Sequence, residues 1–299
     1  MFARLAGLLG LLAIAGCSAE DRPIRIPVDA APAPSLVDAC QGRDGWSDAA
    51  PPARIFGDVY YVGTCGITAL LIVGDRGHVL IDGATAEAAP GIAANIRRLG
   101  FRPQDVRYIL NSHEHVDPAG GLAELKRLTG AQLVARAEAR AGLQTGRTDP
   151  ADPQFGTIPD FEGARVDRVI ADGETLRVGR LVLTARATPG HTIGGTSWTW
   201  RSCVGAECRD FLYADSLTAV GPDAYRFADH PDRVAPFRTT FATVAAMTCD
   251  VLITPHPSAS NLFARIAGAA PLRDANACRT YAEAGRRRLD DRLAREGAR

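Results

Sequence analysis

The chain has 299 residues, 46% of them hydrophobic, which suits one large globular unit and is too apolar for a disordered chain. Its 34 basic and 34 acidic residues cancel to zero net charge. With no long basic run either, the electrostatic basis for nucleic-acid binding is missing, and no nucleic-acid partner is expected.

The N-terminus reads as a targeting signal. Arg4 supplies a short positive region. Leu5–Ala15 (LAGLLGLLAIA) is an apolar run too short to cross a bilayer and of signal-peptide length. It ends in the run Ile14-Ala15-Gly16-Cys17, which resembles a bacterial lipobox, where the cysteine is lipidated and becomes the first mature residue. Residues 1–17 are therefore expected to be a signal peptide with a lipobox. The protein would be exported to the periplasmic face of the envelope and would touch the membrane only through a lipid on Cys17. Ordinary secretion, with Cys17 lost, is the alternative. Residues 18–39 are rich in Pro, Ala and charge and read as a flexible tether; residues 40–299 read as the folded domain.

From Arg54 onward, short β-rich runs alternate with glycine turns: VYYVG, ALLIV and HVLID. A helix is expected from Pro90 to Leu99, stopped by Gly100. VRYILN is a buried strand, Gly121–Leu128 a helix, AQLVA a strand and Ala137–Leu143 a helix. Residues 144–168, with three prolines, read as a long loop of the kind that borders sites. TLRVG, LVLTARA, TSWTWR and DFLYA are strands, Pro231–Met247 a helix, VLIT a strand and Ala275–Ala294 the last helix. Strands followed by helices in both halves imply two packed sheets with helices outside, a four-layer αββα sandwich.

Apart from Cys17, six cysteines remain, an even number that suggests disulfides in an exported protein. Six cysteines allow 15 connectivities, and sequence alone does not choose among them. Joining sequence neighbours gives Cys40–Cys65, Cys203–Cys208 and Cys249–Cys278. Cys203 and Cys208 as metal ligands is the weaker alternative, since no second Cys/His pair stands nearby.

Four of the six histidines sit in three strand-end loops, where binding residues concentrate. His113 and His115 follow VRYILN in SHEHVD, His191 follows LVLTARA in TPGHT, and His256 follows VLIT in TPHP; Asp117 stands beside the first pair. Imidazoles plus a carboxylate suit zinc with positions left open for water. Such a site lowers the pKa of bound water to roughly 7 and yields a hydroxide nucleophile. His78 and His230 read as structural and loop residues, Trp198 and Trp200 as core. Asp82 reads as a hydrogen-bond acceptor bracing the loop or as a plain turn cap.

HEHVD, ATPGHTIGGTSWTW, YADSLT and TPHPSASN together resemble the metallo-β-lactamase superfamily, and within it the third subclass of class B β-lactamases. The likeness extends from about residue 40 to the C-terminus. It implies the αββα fold and a zinc-dependent opening of the β-lactam ring by metal-bound hydroxide. It implies His113, His115 and His191 as ligands of a first zinc, and Asp117 and His256 as ligands of a second. Asp117 would also orient the attacking water and handle its proton. Ser216 and Thr218 match hydroxyl positions near the second metal and the substrate carboxylate. The three cysteine pairs fit disulfides found in some members.

The sequence departs from the family at Pro118, where a third ligand of the second zinc, a histidine, is expected. Proline has no side-chain donor. One firmly bound zinc is thus expected, with a second weak, water-rich or absent unless Ser216, Asp215 or Glu114 compensates. Asp215 reads better as a carboxylate behind the ligands. Glu114 reads as a solvated carboxylate or one behind the ligands, and Ser216 as a substrate contact. Pro118 itself reads as the first residue of a helix with Asp117 as its cap. The partner would be a small-molecule β-lactam and the protein a monomer. The competing readings are a related metallo-hydrolase acting on a lactone, thioester or phosphoester, and a non-catalytic envelope binding protein.

Overall fold

Residues 35–298 are described in a computed structural model. The expected signal peptide, Cys17 and residues 18–34 of the expected tether lie outside the described residues. The end of that tether needs correction: Leu36–Cys40 form a helix, α1. Ser35 caps it, its Oγ accepting from the Asp38 amide at 3.1 Å. Leu36 and Cys40, four positions apart on one face, are both buried in the core, so the folded unit includes residues assigned to the tether.

Seven strands lie side by side in the first sheet: β1 (Ala53–Phe56), β2 (Val59–Tyr61), β3 (Leu70–Ile72), β4 (His78–Ile81), β5 (Val106–Leu110), β6 (Gln132–Ala135) and β7 (Arg168–Val169). β1 to β4 form an antiparallel meander, and β4 to β7 run parallel. The second sheet holds β8 (Thr175–Val178), β9 (Leu181–Ala187), β10 (Thr196–Val204), β11 (Glu207–Tyr213) and β12 (Val251–Ile253). Only its β11–β12 pair is parallel. The remaining helices are α2 (Ala89–Arg98), α3 (Val116–Ala119), α4 (Leu122–Thr129), α5 (Arg140–Thr145), α6 (Pro231–Ala246), α7 (Leu262–Ile266) and α8 (Ala277–Gly297).

The period-two alternation of the strands builds three apolar layers. Tyr60, Leu71, Leu80, Ile109 and Leu133 point outward from the first sheet onto Ile92 and Ile96 of α2 and Leu122 and Leu125 of α4. Their neighbours Tyr61, Leu70, Ile72, Val79, Ile81 and Leu110 point the other way and meet Leu183, Trp198, Phe211, Tyr213 and Ile253 of the second sheet. Leu212 and Leu252 face outward onto Phe237 and Phe241 of α6 and Tyr281 and Leu289 of α8. Each such fully buried side chain contributes roughly 1.5–3 kcal/mol. The outcome is the αββα sandwich expected from the sequence, with Trp198 and Trp200 in the core.

All three cysteine pairs are bonded as sequence neighbours: Cys40–Cys65, Cys203–Cys208 and Cys249–Cys278. Cys203 and Cys208 face each other across the β10–β11 hairpin, which closes their alternative as metal ligands. Among the described residues no helix is long and apolar enough to cross a membrane.

Candidate metal centre

Five strands end at one rim of the sandwich. β4 and β5 from the first sheet deliver Asp82 and the stretch Asn111–His115; β9, β11 and β12 from the second deliver the His191 loop, Asp215–Thr218 and His256. Both sheets therefore contribute side chains to one space. His113, His115 and His191 come together there, with ligand atoms within 4.8 Å of one another. Their rings meet edge to face at centroid distances of 5.1, 4.7 and 4.9 Å.

Hydrogen bonds decide which nitrogen each ring offers. His191 Nδ1 donates to the Thr218 carbonyl at 2.8 Å; a carbonyl only accepts, so Nε2 keeps its lone pair. His113 Nδ1 donates to Asp215 Oδ1 at 2.8 Å, again leaving Nε2 free. That Nε2 is fully buried with no hydrogen-bond partner. A buried lone pair without a donor is costly unless something positive faces it. The donor set fits a borderline-soft divalent cation such as zinc.

Asp117 lies beside this trio. Its Oδ1 is 3.7 Å from His113 Nε2, and its Oδ2 is 3.1 Å from His256 Nε2. Burial works to raise its carboxyl, but His113 and His256 hold it well below the usual carboxylate range. Asp117 and His256 thus pair at the edge of the trio, and Pro118, with no side-chain donor, adds nothing to them. The expected helix start needs adjusting here. α3 begins at Val116 with His115 as N-cap, so Pro118 is its third residue and Asp117 is no cap. Pro118 still falls among the first-turn positions whose N–H has no partner inside the helix. Its carbonyl accepts from the Gly83 amide at 2.8 Å.

Three buried carboxylates brace the ligands from behind. Asp82 accepts from the Ser112 amide and hydroxyl, both at 2.7 Å, and from the Tyr213 hydroxyl at 2.6 Å. Burial pushes its carboxyl up to about 7 against those donors. This is the bracing role expected for it. Asp215 holds His113, also as expected, and makes no contact as a ligand of its own with His256. Glu114 is not solvated. Its Oε2 accepts from Thr192 Oγ1 at 2.8 Å and its Oε1 from the Gly194 amide at 3.0 Å. A Cβ on Gly194 would lie 2.5 Å from Glu114 Oε2, so glycine is what leaves room for the carboxylate. Glu114 thereby ties the turn carrying His113 and His115 to the loop carrying His191. Ser216 Oγ and Thr218 Oγ1 hydrogen-bond each other at 2.8 Å, and Thr218 Oγ1 comes within 3.5 Å of His191 Nδ1.

A cavity of 560 Å³ opens beside the trio, lined among others by Glu114, His115, Asp152, Phe155, Ile193 and Arg233. Its wall is the long loop anticipated over residues 144–168. Phe155 and Ile193 present exposed apolar surface at its edge, and the exposed Trp46 stands 6.3 Å from the His256 ring. Two loop residues that sequence reasoning missed reach the ligands. Asp152 Oδ2 accepts from His115 Nε2 at 3.2 Å, and Gln154 Nε2 lies 3.4 Å from His115 Nδ1. Only the loop's length and position pointed toward them.

The fold is shared with known proteins. The chain is similar to the metallo-β-lactamase MIM-1 from Novosphingobium pentaromativorans, with 52% identity over 88% of this chain and 98% of that one and a TM-score of 0.86. It is similar to MEM-A1, a subclass B3 metallo-β-lactamase from a soil metagenome library, at 44% identity over 85% of this chain and 99% of that one, TM-score 0.81. Among curated proteins it resembles a hydroxyacylglutathione hydrolase of Rhodopseudomonas palustris (strain BisB5), 32% identical over 149 residues, 48% of this chain and 47% of that protein. The chain spans about half the length of the curated relatives it matches. The family description Metallo-beta-lactamase superfamily matches residues 62–259, the stretch that runs from just after β2 through His256 and carries all three histidines of the trio, and the chain belongs to that superfamily.

Proposed function

We propose that the protein is a zinc-dependent hydrolase that opens the ring of β-lactam antibiotics. The observation that carries this reading is the convergence of three imidazoles beside Asp117, one of them, His115, lining an apolar-edged cleft, on a chain similar to subclass B3 metallo-β-lactamases over nearly their whole length. His113, His115 and His191 would hold the ion, which when bound polarises a carbonyl and makes water a nucleophile at neutral pH. Asp117 would orient the attacking water, take its proton and pass one to the departing amide nitrogen; its Oδ1, 3.7 Å from His113 Nε2, supports that reading. Ser216 and Thr218 would receive the substrate carboxylate; in support, their hydroxyls pair beside His191. Phe155 and Ile193 offer apolar surface to its side chains.

The second cation site keeps two protein ligands, Asp117 and His256. We therefore assign one firmly held zinc per chain and a weaker second one. The lipobox-like run ending at Cys17 and the three disulfides support export to the periplasmic face of the envelope.

The test is turnover of a penicillin, a cephalosporin and a carbapenem by zinc-loaded protein, with metal counted in the same sample. Hydrolysis of at least one, abolished in His191→Ala, is expected. No hydrolysis of any of the three, together with cleavage of hydroxyacylglutathione, would move the assignment to the other hydrolases of the superfamily.

A further inference from the structure

We infer that Asp152 is a positioning residue for the metal ligand His115 and that through it the cleft loop and the metal centre are coupled. This rests on the metal reading of the histidine trio.

His115 differs from its two partners. His113 and His191 are each pinned through Nδ1 and offer Nε2. His115 is pinned the other way round. Its Nε2 faces Asp152 Oδ2 at 3.2 Å, and both side chains are buried. A carboxylate oxygen accepts only, so Nε2 must carry the proton and Nδ1 the lone pair. Gln154 agrees with this tautomer, because its amide nitrogen, 3.4 Å from Nδ1, donates to that lone pair. Turning the Gln154 amide over would demand a proton on Nδ1 and place a bare Nε2 against a carboxylate. Asp152 thus decides the tautomer, and Gln154 follows it. A carboxylate behind a ligand imidazole fixes its orientation and raises its basicity, as Asp215 does for His113.

Asp152 is itself held by the loop. Its amide donates to the Asp149 carbonyl at 2.8 Å, and its Oδ1 accepts from the Gln154 amide at 2.7 Å. Arg233, from α6, donates to the neighbouring Ala151 carbonyl. The same segment lines the cleft through Asp152, Phe155 and Ile158. A substrate that moves this segment also moves the acceptor behind His115, and an ion at Nδ1 takes the lone pair to which Gln154 donates, which leaves Asp152 as the segment's tie to the ring.

The experiment uses Asp152→Asn. Asparagine can still accept from the Gln154 amide through its oxygen, so the turn survives, but its NH2 then faces His115 Nε2. Two readouts follow. In metal-free wild type, ¹⁵N NMR of the imidazoles should show His115 protonated at Nε2, and in the variant at Nδ1. Zinc affinity, measured by chelator competition, should fall about tenfold or more in the variant. A wild-type His115 protonated at Nδ1 would overturn the inference without any variant. So would an Asp152→Asn affinity within about threefold of wild type, since removing such an outer partner ordinarily costs 10–100-fold. Failure of wild type to bind zinc at all, with His115→Ala indistinguishable from it, would instead remove the metal reading beneath the inference.

Discussion

Replacing Glu114 by alanine should loosen the centre without touching a ligand. Two donors lose their acceptor: the Thr192 hydroxyl, which is buried, and the Gly194 amide. A buried donor left unsatisfied costs about 1–3 kcal/mol. Two of them sum to about 2–6 kcal/mol, and two effects pull the total toward the lower half. Burial raises the Glu114 carboxyl, so its own desolvation is relieved when it is removed. The side chain also lines the cleft, so water can refill part of the space. The expected loss is about 2–4 kcal/mol for alanine and about 1–2 kcal/mol for glutamine, which keeps one acceptor. Urea unfolding of chelator-treated, disulfide-intact protein, followed by tryptophan fluorescence, measures both. Hydrogen exchange at the Gly194 amide should quicken in parallel. If both variants stay within about 0.5 kcal/mol of wild type and Gly194 exchange is unchanged, the brace described above does not exist.

Two other outcomes follow. His78 is fully buried, with its Nδ1 accepting from the Gly74 amide at 3.4 Å and its ring edge-on to Phe101, and burial lowers its pKa from 6.5 to about 4. The unfolded chain then binds the proton that the folded one refuses, so the stability His78 confers is complete above pH 6.5 and is lost as pH falls toward 4, by about 3 kcal/mol. Urea midpoints of chelator-treated protein at a series of pH values should show this loss in wild type and not in His78→Leu; parallel curves would contradict it. Pro118→His should raise bound zinc from about one to about two per chain by adding a third protein ligand to Asp117 and His256. Elemental analysis after dialysis checks it, and an unchanged ratio would mean that another group completes the second site.

The sequence was most legible where one physical rule sufficed. The strands Leu181–Ala187 and Val106–Leu110 stand out as apolar β-rich runs, and the histidines just beyond them fall at strand ends by the same reading. Pro90 and Gly100 around α2 and Pro231 at the start of α6 placed those helices to within a residue. What escaped depends on contacts between distant positions. Asp152 lies 37 positions from His115, in a segment with no periodicity to read. For Glu114 the sequence left open a solvated carboxylate or one behind the ligands, and only the loop of Thr192 and Gly194, some 80 positions later, selects the second. Leu36 and Cys40 are too short an apolar pair to register as a helix, and only the partners they meet in the core make them one. Pro118 was recognised as a helix-start residue, but its place in the first turn was two positions off.

The seam between the two sheets has a consequence of its own. Polar ties cross it at the rim, among them Tyr213 to Asp82, Trp198 Nε1 to the Asn111 carbonyl at 2.9 Å, and His113 to Asp215. Each joins a residue on or just beyond the second sheet to the strand-end loops of the first. The histidine trio is split along the same line, with His113 and His115 on one leaf and His191 on the other. The rim therefore behaves as a latched book. These ties need no ion, so a packing change deep in the spine should reach the histidines through them as a change in the gap between the pages.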